Sequence, residues 1–330
     1  MKKLISLFAC ALLLLSVMTF SSCLKSQGDA PNALNISGAQ ISDELFSYYI
    51  GVILHDPPSF GVDGGAASDV TEQAVSLCKN YVAVNTMFDG KGLRLTSELK
   101  HNIAESVSAD WGFYKNYYKK ADISKQTLTK ALTAEAKKKM LFLHLYDKGG
   151  EREIDEDELL SYFTGNYVSF NAINGYFTEK DESGNIVQLP DDERSLIKNK
   201  FTAMLSVLKS GGTFDEVYRK YASEQQISSF SPGVMTINKS SNNYPTGFFD
   251  YVSGLAPDSP EIFETKDYIF IVSKTEKSAK EQLDSYRFDC LKAMRSDDFD
   301  SLLSDITVTY TAAADKSLLK SLYETVSGCF

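Results

Sequence analysis

Ile154-Asp155-Glu156-Asp157-Glu158-Leu159 is the stretch on which this sequence turns. Asp155 followed three residues later by Glu158 resembles a capping box, in which side chains at both positions satisfy the free amides of a first helical turn. A short helix is expected from here through Phe163, closed by Gly165. Upstream of it the hydrophobic pattern repeats only with helical spacing, and downstream the first strand-like runs appear.

On the upstream side, Ile41 to Leu54 reads as a helix started by Ser42, with Leu45, Tyr48, Tyr49 and Val52 on one side. His55 to Ser68, with Pro57, Pro58, Gly61, Gly64 and Gly65, reads as a loop. Val70 to Met87 places Ala74, Leu77, Cys78, Tyr81 and Val84 on one face. Thr96 to Lys120 carries Glu98 early and Lys119 and Lys120 late, the charge order that a helix dipole favours. Ser124 to Tyr146 is a further helix, stopped at Gly149 and Gly150. This first region is expected to be all helix.

Downstream, Tyr167 to Phe177 reads as extended and Glu182 to Asn185 as a turn. Pro190, followed by Asp191, Asp192 and Glu193, opens a helix that Gly211 and Gly212 close. Phe214 to Tyr221 is a second short helix. Val234 to Ile237 is a short strand, Phe248 to Val252 a short helix, and Tyr268 to Ser273 the strongest strand of the chain. Glu281 to Ile306 and Lys316 to Val326 return to helix. The fold class expected is α+β, with a helical domain built from both chain ends and an α/β domain inserted between them.

The first residues carry a separate message. Lys2 and Lys3 precede an apolar run from Leu4 to Phe20, then Ser21, Ser22 and Cys23. A basic start, an apolar centre and small residues before a cut describe an export signal. Ser21-Ser22-Cys23 resembles the lipobox of bacterial lipoproteins, which implies lipidation of Cys23 and a lipid anchor on the extracytoplasmic face of a cell membrane. The run is short for a spanning helix. Polar residues from Leu24 to Leu34, including Gly28, Asp29, Pro31 and Asn32, are expected to form a tether.

Composition removes other classes. The 330 residues hold 34 basic and 44 acidic side chains, so the surface repels phosphate and nucleic acid is not expected as a partner. Beyond the signal, Cys78, Cys290 and Cys329 are far apart and odd in number, which makes neither a disulfide framework nor a metal cluster and leaves one bridge open. His55, His101 and His144 lack metal-ligand spacing. No phosphate-binding glycine loop or G-x-S-x-G turn occurs. No cofactor or metal is expected.

The layout resembles the PrsA/SurA-type extracytoplasmic foldases, which insert a parvulin-type peptidyl-prolyl isomerase domain into a helical chaperone domain. Gly92 to Leu99, Ala121 to Leu128 and Ile154 to Leu159 resemble the family's helix entries. Leu208-Lys209-Ser210-Gly211-Gly212-Thr213-Phe214-Asp215-Glu216-Val217 resembles the parvulin helix, glycine, Phe, helix pattern, and Val252 to Leu255 its later turn. The resemblance implies residues 1–22 as signal peptide, 23–40 as tether, 41–153 and 281–330 as the chaperone domain, and 154–280 as the parvulin-like domain.

The resemblance also implies two histidines, one on the first strand of the inserted domain and one on the last. Ala172 stands at the first position and Ile269 or Phe270 at the second, and all three histidines of the chain precede the domain. No catalytic residue is therefore assigned. Met235, Tyr244, Phe248 and Phe249 fall where the family supplies its proline-binding wall. Trp111, Phe113, Tyr114, Tyr117 and Tyr118 cover more than one face of a helix, and of these Trp111, Tyr114 and Tyr118 join the peptide-binding candidates. The expected role is a lipid-anchored chaperone for unfolded or proline-containing exported polypeptides, with isomerase activity lost or weak, and with a homodimer allowed. The alternatives are an active peptidyl-prolyl isomerase and a ligand-binding or structural lipoprotein.

Overall fold

A computed structural model describes residues 32–62, 66–221, 227, 233–275 and 279–330. The signal segment and Cys23 lie outside the described residues. The chain divides into two compact units, one holding the residues up to Leu141 together with Ser301–Phe330, the other Phe142–Asp300.

The first unit opens on a strand where the tether was expected to continue. β1 (Asn32–Ile36) and β2 (Ala39–Ser42) form an antiparallel hairpin. Its turn residues Ser37 and Gly38 have φ values of 47° and 96°, the left-handed pair that matches the twist of a tight hairpin. Ala33, Leu34 and Ile36 are buried. That burial overrides the polar composition that read as tether, so the expectation is corrected for residues 32–40. It also corrects the all-helix reading of this region.

Helices follow in the expected order. Ser42 caps α1 (Asp43–His55) by accepting from the Leu45 amide at 3.3 Å. α2 spans Ala67–Gly90, and α3 (Ser97–Lys120) is capped by Thr96, which accepts from the Leu99 amide at 3.1 Å. α4 is Lys125–Tyr146. The Glu44 carboxylate on α1 ties down the start of α4, accepting from the Ser124 amide at 3.1 Å, from the Thr127 hydroxyl at 2.6 Å and from the Ser124 hydroxyl. One core joins these elements through Leu45, Phe46, Ile50, Val70, Cys78, Val107 and Leu128.

In the second unit, Asp155 caps α5 (Glu156–Asn166), accepting from the amides of Asp157 at 2.9 Å and Glu158 at 3.4 Å. β3 (Tyr167–Tyr176) follows, then the small hairpin of β4 (Thr178–Lys180) and β5 (Ile186–Gln188). The remaining elements are α6 (Asp191–Lys209), α7 (Phe214–Tyr221), β6 (Met235–Asn238), α8 (Phe248–Gly254), β7 (Glu261–Glu264), β8 (Tyr268–Lys274) and α9 (Ala279–Thr307). The last of these carries the chain back to the first unit.

The main sheet has strand order β6-β3-β8-β7 and every pairing is antiparallel. The α/β label expected for this segment is thus corrected to α+β, because its helical connections return each strand against its neighbour. Strand alternation separates two cores. Ile173, Ile269 and Ile271 pack on Phe201 and Met204 of α6, while Phe170, Phe270 and Val272 pack on Phe248 and Val252 of α8.

Within the first unit, β9 (Ala312–Ala314) pairs antiparallel with β1, Leu34 opposite Ala314 and Ile36 opposite Ala312. Its last helix, α10 (Lys316–Ser327), is capped by Asp315 and packs on α1 and α2. Cys78, Cys290 and Cys329 are free thiols, the first two buried, which answers the disulfide question left open by their spacing.

Candidate functional site

The sequence candidates occupy two aromatic clusters, one in each unit. In the second unit, Tyr244 stacks on Phe248 with centroids 4.6 Å apart. Phe170 stands edge-on to both, at 5.6 Å from Tyr244 and 5.3 Å from Phe248. Phe263 and Phe270 close the far side of Phe248 at 5.3 and 5.0 Å. The Tyr244 hydroxyl donates to Met235 Sδ at 3.5 Å, so Met235 and Tyr244 form the accessible rim.

Phe248 is fully buried and surrounded by rings, so it anchors this cluster and offers no peptide contact. This corrects its expected role, and the reason is packing: rings from β3, β7 and β8 of one sheet and the stacked Tyr244 leave no open edge. Phe249 is half-buried at the margin of the same core. The register also settles which residue shares a face with Ala172. Ala172 lies opposite Val272, so Phe270 is on that face and Ile269 on the other. The face carries Val168, Phe170, Ala172, Phe270 and Val272, with no ionisable side chain on these strand positions.

The first unit holds the more open site. α3 loses helical geometry at Tyr114, with φ −108° and ψ 17°, two residues after Gly112, a weak helix former. The interruption turns one aromatic run into a wall. Trp111 stacks on Tyr118 at 5.6 Å and 5° between ring planes, Tyr114 meets Tyr118 edge-on at 6.4 Å, and Tyr117 lies 5.4 Å from Tyr118. Phe330 stands edge-on to Tyr117 at 5.4 Å. Tyr114, Tyr117, Tyr118 and Phe330, with Tyr48, Val52 and His55 of α1, line a cavity of about 350 Å³, open to solvent; Trp111 backs Tyr118 from outside it.

The floor of this cavity is Gly51. A Cβ there would lie 1.9 Å from Tyr117 Oη, so only glycine lets that ring reach the α1 backbone. Tyr117 Oη is buried and has no hydrogen-bond partner in the structure. Burial raises the phenol pKa values of Tyr48 and Tyr117 above the ordinary range, and pushes Tyr118 up to about 12 with Asp110 adding to it. All three rings are therefore neutral, apolar walls with polar tips at neutral pH.

Trp111, Tyr114 and Tyr118 are thus brought together, Tyr118 buried and Tyr114 48% exposed. Phe113, 87% exposed, stands beside Tyr114 at 5.5 Å. Sequence reasoning left out Tyr48, Tyr117, His55 and Phe330 as site residues. The one signal that pointed to them was Gly51, a glycine inside an otherwise apolar helix, a position where it costs stability unless another group must come close.

A second cavity of about 310 Å³ lies along α3 and α4, lined by Ile103, Val107 and Thr129 and flanked by Lys100 and Lys125. Among the described residues, no cluster of histidine, cysteine or carboxylate side chains is arranged to hold a metal ion. No described helix is long and apolar enough to cross a membrane.

No protein-family model matches the chain, and no curated protein does. Among solved structures, it is similar to the foldase protein PrsA of Streptococcus pneumoniae at 12% identity, over 90% of this chain and 93% of that one, with a TM-score of 0.35. PrsA of Lactococcus lactis matches at 11% identity over 90% and 99%, with a TM-score of 0.40. The peptidylprolyl isomerase PrsA of Bacillus cereus matches at 13% identity over 91% and 99%, with a TM-score of 0.28. The structural neighbours of this chain are PrsA foldases.

Proposed function

We propose that this chain is a lipid-anchored, extracytoplasmic holding chaperone that binds unfolded exported polypeptides and has lost most or all prolyl isomerase activity. The observation that carries the reading is the open aromatic cavity at the α3 interruption. Its walls are rings, among them half-exposed Tyr114, and the largely exposed Phe113 extends the apolar surface beside it. Such a surface gains free energy from any apolar segment laid on it, at roughly 25 cal/mol per Å² buried, with little demand on sequence. Binding of this kind needs no cofactor and no reacting group.

The sheet face supports the second half of the proposal. Prolyl isomerisation crosses a barrier of roughly 18–20 kcal/mol. The positions where the resemblance implies histidines carry Ala172 and either Ile269 or Phe270, and the face that Ala172 shares with Phe270 is filled by packed rings. Those positions supply no imidazole to a polar network that could favour the twisted amide. The signal-like first residues and Cys23 supply the reading of location, which rests on the sequence alone.

The experiment is aggregation suppression. The lipid-free chain, with Cys23→Ser, is mixed at stoichiometric levels with several unrelated unfolded clients. It is expected to slow their aggregation, with Tyr114→Ala weakening the effect. Failure against every client removes the proposal.

A further inference from the structure

The aromatic cavity has a charge character that the holding role does not require. The rings of Tyr48, Tyr114, Tyr117, Tyr118 and Phe330 line one opening. Ring faces carry negative electrostatic potential, and several rings around one space attract a cation more than a neutral group of the same size. Two carboxylates strengthen this field. Asp110 acts on both Tyr48 and Tyr118, and Glu135 acts on Tyr48, in each case adding to the larger effect of burial. Among the described residues lining the cavity there is no lysine or arginine, and His55 at its edge is the one basic group. Lys100 and Lys125 belong to the other cavity. The whole chain has a formal net charge of −10.

An ammonium or guanidinium has donors only, from which the hydroxyl tips of exposed tyrosines can accept. A lysine or arginine stem also suits the walls, because its methylenes pack on rings while the charged head stays at the polar tips.

We propose that this cavity is an aromatic cage for a cationic side chain, lysine or arginine, of an extended client segment. The inference rests on the holding role proposed above and names the chemistry that the role selects. A cage of this kind biases the protein toward basic clients, the complement of its own acidic surface.

The test uses the whole chain carrying Cys23→Ser and short extended peptides that differ at one central residue: lysine, acetyl-lysine or methionine. Binding is read by fluorescence anisotropy. The lysine peptide is expected to bind about tenfold tighter than the acetyl-lysine peptide, with the gap shrinking as salt rises. Tyr114→Leu, at a half-exposed position, should remove most of that gap. His55→Lys, at the exposed end of α1, should reverse the preference by placing a fixed positive charge at the opening. Equal binding of the lysine and acetyl-lysine peptides, a preference for methionine, or no binding of any peptide overturns the cage. A chain that slows aggregation yet shows equal binding keeps the holding role and loses the cage. A chain with the lysine preference that fails to slow aggregation keeps the cage and loses the holding role.

Discussion

Gly51 and Tyr117 occupy one another's space: a methyl group on Gly51 would sit 1.9 Å from the tyrosine hydroxyl and 3.1 Å from the ring carbon that bears it. Gly51→Ala should therefore displace the Tyr117 ring and cost about 1–3 kcal/mol, against a helix-propensity gain of about 1 kcal/mol. The net expectation is a lower denaturation midpoint. Tyr117→Phe alone should be neutral or stabilising, since the hydroxyl it removes is buried without a partner. The double variant should recover part of the loss. Equal midpoints for the wild type and Gly51→Ala would show that the ring moves freely and that the cavity floor is not fixed.

Glu44 provides a pH-dependent lock between α1 and α4. Burial by itself raises its pKa, but hydrogen bonds from Ser124 and Thr127 outweigh this and hold it below the ordinary glutamate value. A carboxyl lowered in the folded state stabilises fully above its unfolded value, about 4.3, and the contribution fades as pH falls through the folded value. Glu44→Gln should cost about 2 kcal/mol at neutral pH, the scale of hydrogen bonds to a charged group. Thermal melts of both proteins from pH 7 downward should converge in acid. A pH-independent difference would assign the effect to packing instead.

Isomerisation of a proline-containing peptide should proceed near its uncatalysed rate in the presence of this protein, because the strands of the sheet face carry no histidine. Phe248→Ala should cost about 3–5 kcal/mol of stability, as for a fully buried ring. A fast catalysed rate, lost in a Met235 or Tyr244 variant that still folds, would instead favour an active isomerase.

Arg287 holds the second unit together at one point. Its guanidinium contacts Asp147 at 2.6 Å and Glu156 at 2.9 Å, with only 17% of its own side chain exposed. Since both carboxylates are partly solvated, Arg287→Met should cost about 1–2 kcal/mol. Raised salt should weaken the wild type more than the variant. Chemical denaturation in urea at two salt concentrations distinguishes the two.

Local chemistry was legible to within a residue or two at most helix ends. Ser42, Thr96 and Asp155 each accept the amide bonds their side chains suggested, and the glycines after α4 and α6 close those helices. Short strands were harder. β9 is three alanines, which carry no alternation to read, and β7 is four residues long. β1 looked like tether because Asn32 and Asn35 dilute its apolar positions. For the aromatic clusters, composition identified the rings but not their depth. Phe248 and Phe249 are neighbours in sequence, yet one is fully buried and the other half-buried, a difference set by which side of α8 meets the sheet.

The sequence by itself determined the helix starts and stops, the strong β8 strand, the acidic balance and the absence of histidines after His144, because each follows from a side chain's own chemistry or its nearest neighbours along the chain. Tertiary structure alone decided that Tyr48, Tyr114, Tyr117 and Phe330 share one opening and that Phe270 faces the same side as Ala172. Tyr48, Phe330 and the α3 tyrosines are far apart in the chain, as are Ala172 and Phe270, and only the close fit of rings against the backbone at Gly51 and the register of antiparallel strands bring them together.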